Sequence, residues 1–183
     1  DHNQPGSLVN WRMVGSMLGF TFYQALFSTV LTIILGLPAA YLFSRYQFKG
    51  KELLRVASTL PFILPTVVAA AGFNALIGPQ GWLNLFLMRV LNLSEPPLSI
   101  LNTLTAILLA HVFYNTSIII RIVGSALSQF DRRLEDAART LGASPLRAFL
   151  RVTLPGLMPS ILSALLLVFL FDFSSFGVIL MLG

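Results

Sequence analysis

The chain has 183 residues, of which 56% are hydrophobic and only 10% charged, against about 25% charged in soluble domains. That composition, with a mean hydropathy of +0.81, excludes an ordinary soluble enzyme as well as a disordered or collagen-like chain. The absence of cysteine removes disulfide frameworks, zinc knuckles and thiol nucleophiles, and the net charge of +5 has meaning only through where the basic residues stand.

Residues 1–10 are polar and lack the basic start and apolar stretch of a secretory leader. Beyond them, no charged residue occurs between Arg12 and Arg45, between Arg55 and Arg89, between Glu95 and Arg121, or between Arg151 and Asp172. A helix rising about 1.5 Å per residue needs roughly 20 apolar residues to cross a 30 Å hydrocarbon core. Each neutral run therefore predicts one spanning helix, at about 18–43, 57–77, 99–120 and 156–182. The fold class is all-α integral membrane, a helical bundle with four spanning helices, and 1–183 reads as a single transmembrane domain. The last span reaches Gly183 with no polar tail after it, which predicts that the chain is a segment of something longer.

Within the second span, Pro61 and Pro65 remove backbone donors and predict a bend or break, either as a packing kink or as a hinge. His111 and Asn115 are four apart and share one face of the third span near mid-membrane, with Asn74 approaching similar depth. These side chains serve either interhelical hydrogen bonding or the lining of a path. Asp172 is the only acid within any predicted span and must face a cavity, find a partner or be protonated. With Ser174, Ser175 and Gly177 it forms a polar, small-residue patch, fit either for a substrate path or for pairing with other helices.

Orientation follows from the connections. Arg45, Lys49, Lys51, Arg55, Arg121, Arg132, Arg133, Arg139, Arg147 and Arg151 fall on one side, leaving only Arg12 and Arg89 on the other. The positive-inside rule makes the first side cytoplasmic and puts the N-terminal segment and the 78–98 loop outside. The basic excess is an orientation signal, and no nucleic-acid partner is expected.

Residues 125–155 form a patterned cytoplasmic loop. Asp131 is placed to cap a helix with Leu134, Ala137, Ala138 and Leu141 on one face, and Gly142 follows where a left-handed cap suits glycine. Ser144 and Pro145 supply an N-cap and first-turn proline for a second short helix carrying Leu146, Phe149 and Leu150. Two short amphipathic helices set at an angle result, lying either in the lipid headgroups or exposed as a knob that another protein grips.

The run Asp136-Ala137-Ala138, then Gly142, then after nine residues Val152-Thr153-Leu154-Pro155, resembles the cytoplasmic signature of permease subunits of bacterial ATP-binding cassette importers. That signature reads Glu-Ala-Ala, three residues, Gly, nine residues, Ile-x-Leu-Pro. Gly36-Leu37-Pro38, Arg45 to Gly50, Leu60 to Thr66, Ala110 to Asn115 and Phe173 to Gly177 are similar to the N-terminal half of double-length permeases of iron(III), thiamine and polyamine-type importers. The resemblance implies a five-helix core cut short after Gly183, a bacterial inner-membrane location and half of a translocation path. It also implies three kinds of partner: cytoplasmic ATPase subunits, a second permease half and an extracytoplasmic solute-binding protein. The coupling residues would be Asp136, Ala137, Ala138, Gly142, Leu154 and Pro155, with Asn74, His111, Asn115, Asp172, Ser174 and Ser175 as candidates for the path.

No catalytic residue, metal site or cofactor is expected. There is no Gly-x4-Gly-Lys-Ser/Thr phosphate loop, so ATP would be hydrolysed by a partner. A membrane-embedded enzyme would need a dyad, triad or metal cluster, and neither His-Glu-x-x-His nor Gly-x-Ser-x-Gly occurs. A channel or scaffold stays open on composition alone, although it leaves the loop signature unexplained.

Overall fold

The computed structural model describes residues 11–175, and every regular element among them is helical. The predicted end of the last span at 176–182 lies outside the described residues. Helix α1 runs over Trp11–Arg45, α2 over Lys51–Ile63, α3 over Thr66–Ile77, α4 over Trp82–Leu91 and α5 over Leu104–Gln129. Then come α6 at Arg132–Thr140, α7 at Pro145–Ala148, a π-helical turn at Phe149–Thr153 and α8 at Leu154–Phe173.

Three described helical stretches are long and apolar enough to cross a membrane: Trp11–Arg45, Leu104–Gln129 and Pro145–Phe173. The expected span at 57–77 is instead two shorter helices, α2 and α3, of 13 and 12 residues. Proline supplies the reason. Pro65 has no N–H and drives the residue before it out of helical conformation, and Leu64 accordingly has φ −71° and ψ 132°. Pro61, by contrast, is accommodated inside α2. Tyr114 Oη of α5 lies 3.5 Å from the Pro65 carbonyl and can donate to it, and both halves rest on α5.

Two further boundaries differ from expectation. Helix α5, capped by the Thr103 side chain at the Ala106 N–H, continues to Gln129, so the loop begins later than 125. The second short helix of the loop is the first turn of the last long helix, because α7, the π turn and α8 join without a break. The π turn has a local cause: Pro155 has no N–H and its ring would crowd the carbonyl one α-turn back. The wider turn relaxes this, with the Leu154 N–H bonded to the Phe149 carbonyl five residues earlier.

The core forms where α1, α5 and α8 meet. Ala40, Ile118, Ile119, Val123, Leu127, Leu157, Ile161, Ala164 and Val168 are buried there. Helix α1 approaches α5 closely because Gly36 lies under Ile119, where an added Cβ would stand 2.7 Å from the Ile119 Cβ. One end of the same seam holds Ala40 against Gly124, and Ser44 Oγ donates to the Gly124 carbonyl at 2.9 Å. A smaller cluster of Ala106, Ile107 and Ala110, with Ala70, Phe73 and Ile100 against it, seats α3 on α5. In the 78–98 connection, buried Asn84 donates to the Gly78 and Leu98 carbonyls and accepts from the Leu98 N–H, stapling α4 in place.

Outside these seams the long helices present large apolar side chains, among them Phe20, Leu26, Ile34, Leu162, Leu166 and Leu170. Such surfaces suit lipid rather than water. Gly36→Val should lower stability by about 1 to 3 kcal/mol through overpacking against Ile119, read from unfolding of the full-length protein in detergent micelles.

Candidate functional site

Two groups of residues stand out, one on the loop between α5 and α8 and one inside the bundle. On the loop, Asp131 accepts a hydrogen bond from the Arg133 N–H and starts α6, whose residues are all at least partly exposed. The helix ends at Gly142, which has φ +90° and no atom within 4 Å of where a Cβ would stand. Asp136 and Ala137 are exposed, Ala138 is half-buried, and Leu141 is 89% exposed. Ser144 then caps α7 by accepting from the Arg147 N–H. Leu154 is half-buried and Pro155 exposed at the start of α8.

The loop is rooted on the bundle in two places. Phe130 packs over Gly156, where a Cβ would lie 2.5 Å from the ring, so only glycine lets the end of α5 sit on α8. Glu135 reaches back to Arg45, with Oε2 at 3.0 Å from Arg45 Nη2, and accepts from Thr153 Oγ1 at 3.1 Å. The sequence singles out Asp136 through the signature and leaves Glu135 unmarked. Nothing local marks Glu135, because its partner stands 90 positions away.

The second group joins three elements. Asp172 of α8 is 0% exposed, and its Oδ1 accepts from Asn115 Nδ2 at 2.6 Å with His111 Nδ1 at 3.4 Å. Its backbone carbonyl accepts from Gln24 Nε2 of α1 at 3.1 Å, and the hydroxyls of Ser28 and Thr29 lie beside its carboxyl group. Gln24, Ser28 and Thr32 are fully buried on one face of α1. Among the described residues, Gln24 Oε1, Ser28 Oγ, Thr32 Oγ1, both His111 ring nitrogens and Asp172 Oδ2 have no hydrogen-bond partner.

The structure thus brings Asp172, His111 and Asn115 together. Asn74 is exposed on α3, Ser174 turns its hydroxyl back to the Leu170 carbonyl, and Ser175 is half-buried beyond the helix end. The sequence reading missed Gln24, Ser28 and Thr32. Their signal was present as polar residues repeating every four positions in an otherwise apolar helix. Among the described residues no group of three or more His, Cys, Asp or Glu is arranged to hold a metal ion. The arrangement can hold three helices together at depth, where each polar contact replaces bonds that lipid does not offer.

The fold is a bundle of long apolar helices carrying an exposed helix pair at one end. It is similar to a chain in the crystal structure of a bacterial ABC transporter involved in the import of the acidic polysaccharide alginate. That match has a TM-score of 0.57 at 15% identity and covers 92% of this chain and 69% of the other. Residues 32–183 match the model of the binding-protein-dependent transport system inner membrane component, and the chain belongs to that family.

A "probable sulfate transport system permease protein" of Prototheca wickerhamii is 37% identical over 165 residues, spanning 90% of this chain and 62% of that protein. The spermidine/putrescine transport system permease protein of Haemophilus influenzae is 35% identical over 156 residues, 85% of this chain and 54% of that one. A permease protein assigned to a 2-aminoethylphosphonate transport system in Salmonella choleraesuis is 32% identical over 173 residues, 94% and 60% of the two chains. The chain therefore spans little more than half the length of these relatives.

Asn115→Leu removes a buried donor to Asp172 and should lower stability in detergent by about 0.6 to 1.7 kcal/mol, the range of single interhelical hydrogen bonds in membranes. Thermal unfolding of the purified protein measures it.

Proposed function

We propose that this chain is the membrane-embedded permease part of an ATP-driven importer, and that residues 131–155 seat on a cytoplasmic ATPase subunit. The observation that carries this reading is the loop itself. A helix with no buried residue, ended by Gly142 at positive φ in open space, is carried by a chain that belongs to an importer permease family. Small Ala137 and Ala138 allow close contact with a groove, while exposed Leu134, Leu141 and Leu146 supply apolar area for it. Asp136 is exposed and available to basic groups of the partner. Leu154 and Pro155 belong to the same docking unit as the rigid start of α8.

ATP is hydrolysed by the partner, and this subunit supplies no catalytic residue. A second permease half completes the path, and an extracytoplasmic binding protein delivers the substrate, as the family description leads one to expect. Helices α2 and α3 together form the fourth crossing, and the ten clustered basic residues put the N-terminal segment outside.

For the substrate, the relatives support sulfate, a phosphonate or a polyamine rather than iron(III) or thiamine in particular. Choice among them falls to the binding protein. Asp172 and Asn115 are hydrogen-bonded inside the bundle, while the His111 ring and Asp172 Oδ2 keep unused bonding capacity, so these three stay candidates for the path beside the less enclosed Asn74, Ser174 and Ser175.

The test is Gly142→Trp in the full-length protein. Membrane insertion should stay intact, while co-purification of the ATPase and uptake of radiolabelled sulfate, 2-aminoethylphosphonate or spermidine should fall about tenfold or more. Native-level uptake by this variant would sink the docking reading.

A further inference from the structure

Helix α6 has no buried residue, and among the described residues its side-chain hydrogen bonds to other elements converge on one atom, Glu135 Oε2. Arg45, which meets that oxygen at 3.0 Å, is the last residue of α1, and its side chain is only 9% exposed, with that of Glu135 at 19%. Thr153, which donates to the same oxygen, is fully buried in the π turn that leads into α8. Three elements distant in sequence therefore meet at one carboxylate.

The surroundings make the junction costly to break. Glu135 borders a groove of about 860 Å³ otherwise lined mainly by apolar and aromatic side chains, including Leu37, Tyr41, Leu146, Phe149 and Leu157. A half-enclosed charge in such a wall is held by its partner, and removing either member strands the other. Arg45 could instead have turned to the carbonyls at its own helix end, the common use of a basic residue there. Its guanidinium goes to Glu135.

We propose that Glu135 is a positioning residue that joins the docking helix α6 mechanically to α1 and α8, so that displacement of α6 is carried directly into the first spanning helix. This rests on the docking reading above. A force applied to α6 has covalent routes into the bundle, through Asp131 and Phe130 into α5 and through Ala143 and Ser144 into α7 and α8, and non-covalent ones at Glu135, to Thr153 of the π turn and to Arg45, the last of which bypasses the chain and reaches α1. Helix α1 packs on both α5 and α8, so motion entering at Arg45 reaches the whole three-helix core.

The experiment compares the full-length protein, assembled with its ATPase in lipid nanodiscs, in nucleotide-free and ATP–vanadate-trapped states by amide hydrogen exchange. In the native protein trapping should change exchange about tenfold both at 131–144 and at 40–48. In E135Q, which is isosteric but cannot form the ion pair, the change at 131–144 should persist while that at 40–48 falls below about twofold. The swapped pair R45E with E135R should restore it, which a merely stabilising clamp elsewhere would not. Undiminished propagation in E135Q, or a native response confined to 131–144, overturns the proposal. No native response at 131–144 overturns the docking reading first and this inference with it. Should E135Q fail to assemble, the swapped pair decides: assembly with propagation supports the junction, and either assembly without propagation or no assembly overturns it.

Discussion

Inside hydrocarbon a backbone finds no water to bond, and an apolar helix gains little from leaving lipid for another apolar helix. Packing in this bundle therefore depends on how near α1 can come to α5. Gly36 under Ile119, and Ala40 beside Gly124, reduce that distance until Ser44 can bond a carbonyl of the opposite helix. The seam then offers α8 a surface on which Leu157, Ile161, Ala164 and Val168 bury. Where the apolar stretch of α8 ends, Asp172 meets Asn115, His111 and Gln24. A hydroxyl–carbonyl bond near one end and a carboxyl cluster near the other thus bracket an apolar middle. Because lipid can replace the apolar contacts but not these polar ones, they set register and rotation between helices that would otherwise slide.

The same three helices decide what the exposed α6 can do. A helix as polar and exposed as α6 has little intrinsic reason to hold a fixed direction, since nine residues are too few to be stable alone. It gains that direction at its root. Phe130 sits on Gly156, Asp131 caps the start, Gly142 reverses the chain and Ser144 opens the following helix. The exposed residues of α6 then have freedom only at their side chains.

Much of this was legible in the sequence because it rests on local rules. Charge-free runs located the long helices, since a charge at depth is costly wherever it falls. Asp131, Gly142, Ser144 and Pro145 announced their caps and turn because each acts within three or four residues of itself. Pro65 signalled the break in the second run, although not that both halves would be too short to cross alone. What the sequence did not reveal is pairing at long range. Glu135 with Arg45, and Asp172 with Asn115, join positions 90 and 57 apart, and no periodicity within one helix encodes which neighbour it will meet. Asp136 drew notice because it stands in the signature, whereas the adjacent Glu135 makes the contact that fixes the helix. The buried stripe of Gln24, Ser28 and Thr32 was visible as spacing, but its partner on α8 was not.

The π turn at Phe149–Thr153 has a consequence for angular phase. Successive residues of an α-helix advance by about 100°, so one extra residue accommodated within a turn rotates everything on one side of it by about that much relative to the other. The faces of α7 and α8 are therefore not one continuous stripe, and a helical wheel drawn through Pro145–Phe173 misassigns whichever half it was not fitted to. On the two sides of this offset stand Leu146, which is 67% exposed, and Leu157 and Ile161, which are buried in the core. Loss of a single residue from this turn would leave every helix intact and still aim α6 and α7 about a quarter-turn away from their present bearing.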